Sequence, residues 1–408
     1  MKAKIFYGWR MVGAGAFIQF LHAGLLQQAF GAYVAMLSQE KGWSKTALAG
    51  GAALQSVESA LLGPLLGWTM DKFGARAMMQ LGIVLFGMGF MLLSQIDTVA
   101  GFYVAMAVIA IGTSLSGYFP LTVTLVHWFR RQRARALSIM GLGMAFGGIA
   151  VPLVAWAMQV HGWRTTAFAA GVIAIVLGLP AVRVMRKTPA EMGLTPDGLP
   201  PVAESAEHAP GGAGHERQFT AAEALRTRAF WMISTGHSLA LLVVSAVNVH
   251  AISHMKEGLG YSLSQASLVI TIMLASQGAG MLVGAAVGDH WEKRKVAAAC
   301  MIGHAAGLLM LTFAVHPLML GAFAILHGVA WGLRGPFMQA IRADYFGVQA
   351  IGMIMGISAF VTAIGQVCGP MVAGAFADGS GHYRVAFTVL ALVSALGSVM
   401  FFLAKKPT

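Results

Sequence analysis

Apolar positions in this chain gather into long uninterrupted blocks instead of alternating with polar ones at the period of a surface helix or strand. A block of about 20 residues crosses a hydrocarbon core of about 30 Å as an α-helix. Twelve such blocks can be counted, at 9–37, 46–70, 76–94, 99–127, 133–158, 163–184, 229–255, 262–289, 296–315, 317–343, 349–376 and 382–403. Short segments of alternating polarity, which a membrane β-barrel needs, are absent from the sequence. The pattern predicts an all-α membrane protein of twelve transmembrane helices. Glycines are frequent inside the blocks, where small residues allow helices in lipid to approach closely.

One long polar interruption divides the blocks into two sets of six. It holds Pro189, Pro196, Pro200, Pro201, Pro210, Gly211, Gly212 and Gly214 and is read as a linker. The expected organisation is a six-helix bundle over 1–185, a cytoplasmic linker over 186–228 and a second bundle over 229–408. Within the linker, Thr220-Ala221-Ala222-Glu223 has the form of a capping box that opens a short amphipathic helix.

The two sets are related. Ser262 stands 218 positions after Ser44, and the same offset carries Trp43 to Tyr261, Asp71 to Asp289, Arg76 to Arg294 and Pro152 to Pro370. Gly162-Trp163-Arg164 is echoed by Gly381-His382-Tyr383-Arg384 after a slip of one or two residues. Two pseudo-symmetric six-helix bundles follow, with a solute site expected between them near the midplane.

Composition agrees with the pattern: 57% of residues are hydrophobic, 10% are charged, and the mean hydropathy is +0.72. The net charge of +12 changes meaning in this setting. If the helices alternate, Lys72, Arg76, Arg130, Arg131, Arg133, Arg135, Arg183, Arg186, Lys187, Lys293, Arg294 and Lys295 fall on one side, joined by Lys2, Lys4, Lys405 and Lys406. The positive-inside rule makes that side cytoplasmic and puts both termini there, in the expected cell inner (cytoplasmic) membrane, with no role for nucleic acid. Lys2 and Lys4 precede an apolar run longer than a signal-peptide core, so the first helix is expected to be retained. Cys300 and Cys368 lie inside blocks and supply neither a disulfide framework nor metal-ligand spacing, and no cofactor motif is found.

Gly67-Trp68-Thr69-Met70-Asp71-Lys72-Phe73-Gly74-Ala75-Arg76 resembles the signature loop between helices 2 and 3 of the major facilitator superfamily, with Arg76 displaced by one position. The resemblance covers essentially the full length. Tyr7-Gly8-Trp9, Trp128-Phe129 before Arg130 to Arg135, Arg334-Gly335-Pro336 and Ala343-Asp344-Tyr345-Phe346-Gly347 are similar to the monocarboxylate and oxalate/formate branch. It implies alternating access by a secondary transporter, working as a monomer on a small organic anion with proton coupling. The branch's arginine in helix 8 and lysine in helix 11 have no counterparts here. Gln277 stands in the former helix, and Thr362 and Gln366 in the latter.

Residue chemistry gives the gate and the site their candidates. Asp71, with Lys72, Gly74 and Arg76, and its echo Asp289 with Arg294, are expected to gate by making and breaking contacts with helix N-termini. Because the first copy keeps Gly67, Lys72 and Gly74 where the second has Ala285, His290 and Glu292, the stronger lock is expected in the N-terminal half. An ionisable group deep in a spanning helix is costly and points to function. Arg334 is the expected anion ligand through its two-pronged guanidinium, with a structural pair to Glu58 or snorkelling as alternatives. His327 precedes it by seven residues on the same face. His22, Tyr118, Gln277 and Asn248 complete the expected substrate set, and Glu58 and His22 are the proton-coupling candidates. His237, His250, His254 and His304 are read as packing groups.

No nucleotide-binding loop or cluster of catalytic groups argues for a pump or an enzyme. A carrier of a neutral or cationic solute, and a transporter-like membrane sensor, are the alternatives.

Overall fold

The computed structural model describes residues 5–199 and 217–407, so the expectations for Lys2, Lys4 and linker positions 200–216 lie outside the described residues. All secondary structure among the described residues is helical. The first crossing is built from α1 (Tyr7–His22), a π-turn at Ala23–Gln27 and α2 (Phe30–Lys41). α3 (Lys45–Phe73) and α4 (Ala75–Leu93) follow, and α5 (Val99–Ser116) with α6 (Tyr118–Trp128) makes the fourth crossing. α7 (Arg133–Gly147) runs through a tight turn into α8 (Val151–Arg183), which holds the rest of crossing five and all of crossing six because Gly162 breaks it at φ 80°. Beyond the short α9 (Ala221–Arg226), the second set is α10 (Arg228–Ser253), α11 (Leu263–Val287), α12 (Lys293–Thr312), α13 (Pro317–Phe346), α14 (Ile351–Ser380) and α15 (Tyr383–Leu403). Among the described residues, ten helical runs are long and apolar enough to span a membrane. Dividing Arg133–Arg183 at Gly162 and adding the 29-residue α3 gives the twelve expected crossings.

Two expected continuous helices are interrupted. The fourth crossing breaks at Gly117 because Pro120 has no N–H for the carbonyl of Ser116; the Ser116 hydroxyl donates back to Gly112 O at 2.7 Å. The first widens into a π-turn immediately after His22, an irregularity common beside functional groups.

The internal repeat has local causes that can be named. Ser44 and Ser262 are both N-caps, each accepting the third backbone N–H of its helix at 3.2 Å. Gly162 and Gly381 take φ of 80° and 74° at matching helix junctions, a conformation that excludes most other residues. In the linker, Thr220 and Glu223 form the expected capping box, with N–H contacts of 2.8 and 3.2 Å.

Packing distinguishes the two ends of the molecule. One apolar cluster joins both halves at the basic end, where Met70, Leu137 and Phe129 share a core with Phe337, Ile351 and Met355. Toward the other end the core divides. One cluster there is drawn only from the first half, around Phe86, Phe90 and Trp163, and the other only from the second, around Met273, Phe323 and Phe387. The halves therefore meet at the basic face and part away from it.

Candidate functional site

At the basic face each half closes on the other through a carboxylate set against a helix N-terminus. Asp71, at the end of α3, accepts the backbone N–H groups of Gly352 (3.0 Å) and Met353 (2.9 Å) in the first turn of α14. Asp289, just after α11, accepts those of Ala134 (2.9 Å) and Arg135 (3.2 Å) in the first turn of α7. These donors have no partner within their own helix, and the helix dipole favours an anion there. Burial pushes the Asp289 carboxyl above its ordinary value, and the two N–H bonds and Lys293 pull against it.

The second copy of the loop thus caps as fully as the first, contrary to the asymmetry read from its sequence. It is further supported by Asp344, which bridges Arg133 of the first half (2.6 Å) and Lys293 of the second (2.8 Å). Asp197 of the linker adds a third carboxylate, accepting the N–H groups of Arg130 and Arg131 at 3.1 and 2.8 Å just before α7. Gly74 turns the chain at φ 79°, and the Lys187 ammonium donates to Asp71 O at 3.2 Å. Lys72 lies over the Trp68 ring at 4.8 Å, and Arg76 is exposed. Arg294 pairs with Glu292 and with Phe402 O, both within its own half.

Glycines let the halves come this close. A methyl on Gly67 would meet the carbonyl of Gly352, and one on Gly356 would meet that of Gly63, so α3 and α14 cross backbone to backbone. α7 and α11 also meet through small residues, with Gly284 against the Ser138 hydroxyl.

Above this seal lies a cavity of about 420 Å³ lined from both halves. Gln19, His22, Ser114, Tyr118 and Thr122 contribute from the first half, and Gln339, Thr362 and Gln366 from the second. Among the described residues its lining mixes apolar side chains with polar ones and holds no Asp, Glu, Lys or Arg; the carboxylate and the guanidiniums stand outside it. The Ser114 hydroxyl donates to the Glu58 carboxylate at 2.8 Å. His22 lies with Nε2 3.4 Å from the Ser116 hydroxyl and its Nδ1 unpartnered among the described residues. Tyr118 interacts electrostatically with two buried guanidiniums, Arg342 and Arg334.

Those guanidiniums are the unexpected feature. Arg342 donates only to neutral groups: Ser358 Oγ at 2.9 Å, Met338 O at 2.8 Å and Gln339 Oε1 at 3.4 Å, with His237 Nδ1 3.1 Å away. Because the guanidinium occupies the amide oxygen of Gln339, that side chain is left to offer its NH₂ to the cavity. Arg334 is 1% exposed, and its Nε and Nη1 have no hydrogen-bond partner among the described residues. Its burial leaves no room for snorkelling, and none of the ion pairs among the described residues joins it to Glu58. His327 packs beside His304, with their Nδ1 atoms 3.1 Å apart.

Of the expected substrate residues, His22 and Tyr118 line the cavity directly, and Arg334 stands behind it. Gln277 packs its backbone on Gly328 and Gly332 of α13, and Asn248 is exposed, so neither joins the lining. Arg342, Gln339 and Gln19 escaped the sequence reading. A second arginine eight residues beyond Arg334 was the available signal.

A family profile described as Major Facilitator Superfamily matches residues 15–251 and 233–408. The chain is 21% identical over 375 residues to a hexuronate transporter of Escherichia coli (strain K12), covering 87% of this chain and 84% of that protein. It is 24% identical over 417 residues to monocarboxylate transporter 11 of Homo sapiens, covering 97% and 82%. Among solved structures, the superfamily transporter FucP in its outward conformation superposes with a TM-score of 0.73 at 15% identity, covering 97% of this chain and 99% of that one. With the repeat, the two crossed seals and the shared cavity in place, the chain belongs to the major facilitator superfamily.

Proposed function

We propose that this protein is a secondary transporter that carries a small organic anion across a bacterial inner membrane by alternating access, with proton coupling. The basic face is then cytoplasmic by the positive-inside rule, both termini lie inside, and the structure represents the outward-facing state. One observation carries the reading: two buried guanidiniums without carboxylate partners among the described residues, Arg334 and Arg342, stand behind a cavity of substrate size with polar groups from both halves. Their uncompensated charge, in a medium that screens poorly, makes the cavity attractive to an anion. Gln339, oriented by Arg342, supplies a donor to a carboxylate, while Gln19, Gln366 and Tyr118 suit hydroxyl groups.

A hydroxylated monocarboxylate matches this combination best. The similarity to a hexuronate transporter and to a monocarboxylate transporter supports the same class. Glu58, held by Ser114, and His22 are the proposed proton carriers on the first half. A neutral polyol is the second reading, favoured by the lack of any Asp, Glu, Lys or Arg among the described residues of the lining.

A thermal-shift screen of the purified protein with glucuronate, lactate, glucose and choline separates the two. The carboxylates should stabilise the native protein, and Arg334→Gln and Arg342→Gln should weaken that effect. Stabilisation by glucose or choline with none by any carboxylate would end the anion reading.

A further inference from the structure

His304 and His327 face one another across the α12–α13 contact, both fully buried, with ring centroids 4.4 Å apart. Their Nδ1 atoms are 3.1 Å apart, a distance that needs a hydrogen between them, so one ring carries Nδ1–H and the other offers its Nδ1 lone pair. The neutral pair then has a fixed proton count. The donor ring has a bare Nε2, the acceptor ring carries Nε2–H, and neither Nε2 has a partner among the described residues. An open basic nitrogen and an open N–H, both fully buried, fit a group that exchanges a proton better than one that only packs.

The surroundings set when a proton is taken. On the two helices themselves, Arg334 acts on both rings, and Cys300 lies beside Arg334. Arg342, also on α13, reaches Arg334; from other elements, Tyr118 of α6 reaches Arg334, and His237 of α10 lies against Arg342 and within reach of Arg334. Phe323 covers His327 at 5.6 Å. α15 meets α12 through the neutral Ser394, and α11 meets α13 through the backbone of Gln277. The fixed charge around the pair is therefore positive.

We propose that the His304–His327 pair binds the transported proton of the second half, and that an anion drawn to Arg334 makes this binding favourable. This rests on the anion reading above and gives it a mechanism. The proton adds to the bare Nε2 of the donor ring, no bond breaks, and the resulting imidazolium strengthens its own Nδ1–H bond to its neighbour. Without an anion, the added positive charge faces Arg334 uncompensated. With one, the two charges cancel, so anion and proton enter together and leave together.

Histidine-selective ¹⁵N NMR in nanodiscs, assigned with His304→Gln and His327→Gln, tests the pair directly. Arg334 lies seven residues from His327, roughly 10 Å along the helix. Neutralising it at that distance should raise the pH at which the pair takes its extra proton by about one unit. Arg334→Gln should therefore produce the shift with no solute present, Arg334→Lys should not, and saturating glucuronate or lactate should reproduce it in the native protein. An unmoved midpoint in Arg334→Gln overturns the linkage. A shift in Arg334→Gln with none from any carboxylate would retain the proton site and reject the anion reading instead. If Arg334→Gln does not fold, His304→Gln decides: a His327 resonance that titrates as in the native protein refutes the shared-proton pair.

Discussion

Replacing Asp71 with Ala should weaken the closed basic face without touching the cavity. The substitution removes both acceptors from the Gly352 and Met353 N–H groups, at 3.0 and 2.9 Å, leaving the start of α14 uncapped. Loss of a helix cap to Ala costs about 0.5–2 kcal/mol, and a charged acceptor of two bonds belongs at the upper end. Part of this is returned, because the half-buried carboxylate no longer has to be desolvated. In the open state water caps α14 in both proteins, so the difference falls on the conformational equilibrium. A net change of about 1–2 kcal/mol shifts it by roughly 5–30-fold toward opening at the basic face. The assay is the labelling rate of a cysteine at Gln339, in the cavity wall, by an impermeant maleimide applied from the basic face of oriented vesicles in a Cys300→Ser, Cys368→Ser background. Asp71→Ala should accelerate labelling by that factor, and Asp289→Ala should do nearly the same. Unchanged labelling in the double variant would refute the idea that these carboxylates hold the halves together.

Three further perturbations test other parts of the structure. Gly356→Ala places a methyl against the Gly63 carbonyl, so it should open the basic face more than Asp71→Ala does in the same labelling assay. Asp344→Ala leaves the buried Arg133 guanidinium without its 2.6 Å partner, a loss of about 2 kcal/mol after discounting the partly exposed carboxylate, seen as a lower melting temperature in detergent. Asp97, on the face away from the termini, is held below the ordinary carboxylate range first by Lys41 and then by Arg164. Because its value is lowered, the link stabilises above the ordinary range and is lost as pH falls through the lowered one. Asp97→Asn should therefore give a small drop in melting temperature at pH 7 that begins to fade as pH falls below about 4, vanishes once the folded carboxylate is protonated, and shrinks in high salt.

Much of the architecture was legible in the sequence because a bilayer restricts the choices so severely. The apolar blocks set the crossings, and the shared offset of Ser44 with Ser262 marked the same cap in both halves. Asp71 could be assigned to a helix N-terminus because an acid in a basic loop has little other purpose. The breaks at Gly117 and after His22 were less visible, since apolar side chains continue through both and only backbone hydrogen bonding changes.

The candidate site was harder to read. Depth along a helix identified Arg334 and His327, but depth does not give the face, and Gln277 and Asn248 point elsewhere. Arg342 lies near the basic end of α13, where nothing in the sequence set it apart, although it is 2% exposed and held by Ser358. His304 looked like a packing group because its partner lies on a different helix, 23 residues away.

Solute counterflow in proteoliposomes bears most directly on the central claim, that the cavity between the halves carries a small organic anion. Vesicles preloaded with unlabelled glucuronate or lactate should take up the same labelled anion through the native protein, and uptake should fall sharply with Arg334→Gln or Arg342→Gln. Counterflow restricted to a neutral or cationic solute and indifferent to both arginines, or no counterflow of any solute, would contradict the account.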